Sequence, residues 1–172
     1  VKVHKDGTME ASGSHELIPG AISTRKALYN QEKTFLIIDS VNSPSAKNYI
    51  QRFHLAPDFK VIQSDVRKTV AAHPSGRTLT LSQTFNTDQI NNEIAESHVS
   101  YKDFEWVKRS ELRYKQRNRQ GCFITLIHLG KNNEDTVLNT ELEHDGNDFI
   151  VSYTTASDNK TRTFRFPAEW KH

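Results

Sequence analysis

Residues 33–57 read KTFLIIDSVNSPSAKNYIQRFHLAP, the densest apolar run in the chain followed by its clearest alternation. Residues 34–38 are β-branched and aromatic over the length of one buried strand, and residues 39–46 (DSVNSPSA) are turn and loop formers. From residue 49 the pattern alternates. Tyr49, Gln51, Phe53 and Leu55 fall on one face and Ile50, Arg52 and His54 on the other, because strand side chains point to opposite sides at every second residue. Pro57 has no amide hydrogen for a ladder and closes the run. The stretch predicts a β-hairpin, strand 34–38 against strand 49–55.

Outward from it, residues 21–30 read as a strand joined to the hairpin by a tight link, and residues 1–4 as a short strand before the Lys5-Asp6-Gly7 turn. Residues 10–20 read as a loop around His15, punctuated by Ser12, Gly13, Pro19 and Gly20. Downstream, residues 59–62 and 66–72 are apolar enough for strands. After the Pro74-Ser75-Gly76 turn, Thr78, Thr80 and Ser82 alternate with Leu79, Leu81 and Gln83 in a half-buried strand. Residues 86–97 read as an irregular excursion with at most one helical turn, capped by Thr87 or Asp88, that sets Ile90 and Ile94 one turn apart. Residues 101–119 are long and polar, and residues 122–129 form an apolar strand entered at Gly121 and left at Gly130. Asp145-Gly146 joins strands 137–143 and 149–155 as a hairpin, and residues 161–166 make a last strand, with Phe164 and Phe166 on one face, stopped by Pro167.

Many short strands and no credible long helix predict an all-β fold, a two-layer antiparallel β-sandwich of supersandwich type with little helix. Its interior is expected to hold Phe35 or Leu36, Ile37 or Ile38, Phe53, Leu55, Leu79, Leu81, Phe123, Leu126 and Phe164. The 172 residues suit one domain, 1–172, and a chain of this size buries about two-thirds of its unfolded surface without staples. Hydrophobic residues at 35% and a mean hydropathy of -0.70 imply solvated outer faces. With 23 basic against 21 acidic residues, no global charge demands nucleic acid or an anionic membrane. Cys122, the sole cysteine, excludes an internal disulfide and a cysteine metal cluster. No apolar run is long enough to span a bilayer. The chain opens on Val1 with no signal peptide, and the expectation is a piece of a larger protein.

Chemistry-bearing motifs are sparse. His4, His73, His98, His128, His144 and His172 do not stand at ligand spacing, so no metal site is expected from the pattern. Cys122 in its apolar strand reads as a small buried hydrophobe, and neither a nucleophile elbow nor a glycine-rich phosphate loop occurs. The distinctive charge feature is Arg113, Lys115, Arg117 and Arg119, which an extended strand would place on one face with Leu112 and Tyr114 on the other. Such a stripe suits the carboxylates and sulfates of an acidic glycan, because guanidinium groups pair with planar oxyanions through two bonds. It equally suits a solvated edge whose charges deter aggregation. Nucleic acid ranks last, since stacking aromatics are not interleaved with the cations.

A strand ending in IIDSV (37–41), a short excursion and a strand ending in RFHLAPD (52–58) resemble the C-terminal β-sandwich region of the heparinase II/III-like polysaccharide lyases. The lead-in GSHELIPGAISTRKALYN (13–30) and the later VSYKDFEWVKRSELRYK (99–115) and CFITLIHLG (122–130) are similar to the flanking strands of that family. The resemblance implies a bacterial, periplasmic or extracellular parent enzyme that cleaves uronate glycans by β-elimination. Tyrosine and histidine would serve as base and acid, asparagine or arginine would sit near the carboxylate, and the parent would often hold a divalent metal in its sandwich. It also implies an N-terminal helical toroid holding most of that machinery, so the chain alone is expected to be a non-catalytic scaffold without an evident cofactor, its partners being the toroid and an acidic polysaccharide. The residues carried over as substrate contacts are His54 with Arg52 in RFHLAP, His15 in GSHELIPG, and Arg25. Where the family often has a histidine two residues before that arginine, this chain has Ser23. His54 is otherwise a hydrogen-bonded sandwich histidine and His15 an ordinary exposed residue. The alternative function is a free-standing carbohydrate-binding or cell-surface β-sandwich.

Overall fold

The computed structural model describes residues 1–30, 32–102 and 105–168. Twelve strands account for most of them: β1 (Lys2–Val3), β2 (Met9–Ile18), β3 (Ala21–Asn30), β4 (Thr34–His54), β5 (Lys60–Ser64), β6 (Lys68–Ala72), β7 (Thr78–Gln83), β8 (Asn91–Lys102), β9 (Glu105–Gly130), β10 (Val137–Asp145), β11 (Asp148–Thr155) and β12 (Thr161–Pro167). One 3-10 turn, Thr87–Gln89, precedes β8. Nine strands form a large antiparallel sheet in the order β1-β2-β3-β4-β9-β7-β6-β5, with β8 also on β9, and β10-β11-β12 form a second sheet.

The two sheets meet face to face. Leu28, Leu36, Ile38, Ile124 and Leu126 of the large sheet pack against Val137, Phe149, Val151, Tyr153, Phe164 and Phe166 of the small one, and each such side chain removed from water contributes about 1.5–3 kcal/mol. The middle strand of the small sheet alternates strictly, β11 reading half-buried then buried along its length, because only one of its faces is covered. A second core lies on the other face of the large sheet. There Leu55, Ala71, Leu81, Ile90, Leu112, Tyr114 and Phe123 cluster. They come from β6, β7, both halves of β9 and the segments after β4 and before β8, so the large sheet curls around them.

The predicted sandwich is therefore present, and β3, β7 and the hairpin through Gly146 lie where the pattern puts them. The central hairpin does not. Residues 34–54 are one strand, β4, paired with β9 from Thr34↔His128 to His54↔Glu111, and the excursion is a bulge: four residues, 43–46, stand opposite the single Arg119, between Asn42↔Gln120 and Lys47↔Asn118. The turn formers of DSVNSPSA stay extended because β3 and β9 pair with their first residues on both sides, and ladder bonds outweigh local turn preference. Two further segments read as irregular are ladder as well. Residues 9–18 are β2, paired with β3. After the 3-10 turn, whose cap is Asn86 rather than Thr87 or Asp88, residues 91–102 are β8, paired with β9. The polar residues 105–119 continue without a break into the apolar end of β9. In the interior, Leu36 and Ile38 are buried while Phe35 is 40% exposed, and Phe53 and Leu79 flank the second core rather than fill it. Strand β7 is buried on both faces, not half-buried, because both layers of core lie against it.

Candidate functional site

Strands β2, β3, β4 and β9 run side by side, and their register aligns a polar row. His15 lies opposite Ser23, Gly13 opposite Arg25, Arg25 opposite Asp39, and Asp39 opposite Phe123, and residues directly opposite in an antiparallel ladder share a face. The Arg25 guanidinium donates to the two Asp39 carboxylate oxygens from Nε (2.6 Å) and Nη2 (2.7 Å), the forked geometry that makes this pairing strong. These bonds hold the Arg25 pKa above its ordinary value against the opposing effect of burial. Gln51 Nε2 donates to the same carboxylate at 2.9 Å, and Gln51 Oε1 in turn accepts from Gln83 Nε2 at 2.9 Å and Thr125 Oγ1 at 2.8 Å.

The direction of every bond in this row is fixed. Gln51 is 3% exposed and supports Asp39 from beneath, whereas the Arg25 side chain keeps 58% of its surface in solvent and its Nη1 has no partner among the described residues. Over the row opens a cleft of about 800 Å³, lined by His15, Ser23, Arg25, Tyr49, Gln51 and Arg52 among others. Chemically this is an arginine held in place with one nitrogen to offer, beside an imidazole and hydroxyls. It suits an oxyanion or a sugar hydroxyl.

A second constellation forms on the opposite face, beyond the bulge, where the small sheet does not reach. Across β4 and β9, Asn48 stands opposite Arg117, Ile50 opposite Lys115, Arg52 opposite Arg113 and His54 opposite Glu111. Across β8 and β9, Glu93 stands opposite Arg113. Two arginines directly opposite one another repel, and Glu111 reconciles them. Its buried carboxylate, 4% exposed, accepts from Arg113 Nε at 2.6 Å and Arg52 Nη1 at 2.9 Å on Oε1, while His54 Nε2 sits 2.9 Å from Oε2. The Arg113 bond, then that of His54 and the charges of Arg113 and Arg52, outweigh burial and lower the Glu111 pKa to about 2. Glu93, paired with Lys115 and Arg113, is likewise held below its ordinary value, chiefly by the Lys115 bond. Arg117 is exposed and makes no ion pair among the described residues.

The residues singled out by sequence thus separate into two groups. His15 and Arg25 meet in the cleft, which Arg52 borders while its guanidinium turns to Glu111. Arg52, His54, Arg113, Lys115 and Arg117 meet on the outer face. Arg119 leaves the stripe, because it is the residue opposite the bulge. Sequence reasoning missed Asp39, Gln51 and Glu111. Asp39 carried a turn-former's signature, and Glu111 had one usable signal, a carboxylate two residues from Arg113 and so on the same strand face. Among the described residues no three histidine, cysteine, aspartate or glutamate side chains converge as for a metal, and His172 lies outside the described residues. Cys122 is half-buried in β9.

The fold is one found in solved lyases. Heparan sulfate lyase HepC from Pedobacter heparinus superposes with a TM-score of 0.81 at 15% identity over 96% of this chain. Heparinase III, the BT4657 gene product, superposes at 0.77 and 11% over 97%, and a further heparinase III at 0.77 and 13% over 97%. This chain spans only 27% of each of those chains. No curated protein matches it. The model of the family described as heparinase II/III-like, C-terminal, matches residues 1–127, and the chain belongs to that family. No helix among the described residues is long and apolar enough to cross a membrane.

Proposed function

We propose that this chain is a single β-sandwich domain forming the C-terminal part of a bacterial polysaccharide lyase that cleaves acidic, uronate-containing glycans by β-elimination, exported to the periplasm or beyond. In this reading the catalytic half is an N-terminal helical toroid. The sandwich itself supports and binds the glycan without turning it over. The observation that carries the reading is family membership over residues 1–127. Two features of the molecule support the glycan side of it: the cleft with Arg25 fixed on Asp39, and the outer face on which Arg52, His54, Arg113, Lys115 and Arg117 gather around two carboxylates, leaving a cationic surplus.

The test is an assay for the unsaturated uronate product, which absorbs in the ultraviolet. Heparan sulfate, alginate and other uronate glycans incubated with the purified chain are expected to give no absorbance rise, while the chain is retained on immobilised heparin and released by salt. Turnover by the isolated chain overturns the non-catalytic reading, and absence of retention overturns the glycan-binding one.

A further inference from the structure

Between the covered core and the cationic outer face, on the same side of the β4–β9 ladder, lies a hollow of about 580 Å³. The bulge makes it. Lifting residues 43–46 away from β9 leaves the rungs Asn42↔Gln120 and Ser40↔Cys122 uncovered at the end of the small sheet, and bulges characteristically redirect side chains in this way. The Phe85-Asn86 segment, at the end of the link from β7, closes its far side.

Its lining is unusual in chemistry. Asn42, Asn86, Asn118 and Gln120 are all exposed. None of their side-chain NH2 groups donates a hydrogen bond among the described residues, the single use being Asn118 Oδ1, which accepts from the Arg119 backbone N–H at 2.8 Å. Among the described residues no carboxylate and no imidazole lines the hollow, and Arg119 is its one cation. One wall is apolar: half-buried Phe85, seated on the main core edge-to-face with Phe149. An amide both donates and accepts, as a sugar hydroxyl or acetamido group does, while an aromatic wall suits the C–H face of a pyranose ring. Charged sugars are better served one step along the ladder, where Arg117 and Lys115 begin.

We propose that this hollow is a subsite for an uncharged hexose unit bearing hydroxyl or acetamido groups, set in line with the cationic face so that one glycan chain lays a neutral unit here and its acidic units on Arg117, Lys115 and Arg113. The proposal rests on the glycan-binding reading above and adds to it a second, neutral specificity. Binding in the hollow is independent of pH between about 5 and 8, because no described residue with an ordinary pKa in that range lines it, and insensitive to salt, because it does not rest on ion pairing.

The experiment is a titration of the isotopically labelled chain with tri-N-acetylchitotriose as the neutral probe and a heparan sulfate oligosaccharide as the acidic one, following side-chain amide resonances. The neutral probe is expected to shift the NH2 signals of Asn42, Asn86, Asn118 and Gln120, equally at low and high salt. The pair Asn86→Gly and Gln120→Ala, the first chosen because glycine keeps the positive φ of 47° at that position, is expected to weaken the neutral probe at least tenfold with an unchanged melting temperature. Unmoved amide signals, or equal binding by the double variant, overturn the assignment. If the acidic probe still binds in a salt-dependent way, only the neutral subsite has failed; if neither probe binds, the glycan reading itself has failed.

Discussion

The ring of Tyr49 lies over Gly121, so close that a Cβ on the glycine would stand 2.9 Å from Cε2 and nearer still to Cδ2. The contact joins the two halves of the β4–β9 ladder across the bulge, since Gly121 pairs with Val41 before it and Tyr49 with Gln116 after it. The tyrosine hydroxyl holds the bulge too, donating to Ser43 Oγ at 2.9 Å. Gly121→Ala is expected to destabilise the chain by about 1–3 kcal/mol, the cost of forcing extra volume into a packed site. In a Tyr49→Ala background the same substitution should cost far less. Urea unfolding of the four chains gives the coupling, and additive effects would mean that the ring moves aside freely.

The row under the cleft predicts an order of costs that exposure alone decides. Gln51→Met leaves the Gln83 amide and the Thr125 hydroxyl without their acceptor and takes one of three donated bonds from Asp39, and a buried polar group stripped of its partner costs about 1–3 kcal/mol. Arg25→Met removes a bidentate bond at a largely solvated side chain, where ion pairs contribute only about 0–1 kcal/mol. Gln51→Met should therefore lower the melting temperature more than Arg25→Met. The reverse order would place the main support of Asp39 on the arginine.

Much of this fold is legible in periodicity. The strand at residues 21–30, the shared face of Phe164 and Phe166 in 161–166, and Asp145-Gly146 mark strands, core and hairpin, the second because one-sided burial imposes a period of two, whereas the pattern left open which of Phe35 or Leu36 and of Ile37 or Ile38 faces inward. The long strands were not legible. Residues 39–46 carry every local mark of a turn, and what keeps the first of them extended is pairing with Arg25 on one side and Phe123 on the other, partners distant in sequence. The same holds for the sites. A stripe of cations is visible in residues 113–119, but that Arg52 stands opposite Arg113, and that Glu111 must then lie between them, follows from register alone.

Glu111 gives the chain an acid limit. Its carboxyl titrates at about 2 in the folded chain against 4.5 for an ordinary glutamate. Folding thus favours its ionised form, and the stabilisation it contributes is complete above pH 4.5 and fades as the pH falls through 4.5 toward 2. Glu111→Gln should be less stable than the natural chain at neutral pH by about 1–3 kcal/mol, because two arginines then face each other over a neutral amide. The gap should close as pH falls through that window. Melting temperatures of both chains from pH 7 to pH 2 check this, and a gap independent of pH would assign the loss to packing rather than charge.

Within the outer face, Arg113 and Arg117 differ in a way that separates recognition from structure. Arg113 is bonded to Glu111 and ion-paired with Glu93, so Arg113→Ser removes a partner from a buried carboxylate and should lower the melting temperature. Arg117 has no ion pair among the described residues, so Arg117→Ser should leave stability unchanged within about 0.5 kcal/mol, as for an isolated surface charge. On immobilised heparin, Arg117→Ser alone is expected to elute at lower salt than the natural chain, because an unpaired guanidinium is free to meet a sulfate or carboxylate, and exposed charges act over only about 8 Å at physiological ionic strength. Had the cations served only to guard the surface against association, Arg117→Ser would elute unchanged and show an increased tendency to aggregate. Unchanged elution with rising light scattering would therefore remove the outer face from glycan recognition and leave it to the cleft over Arg25.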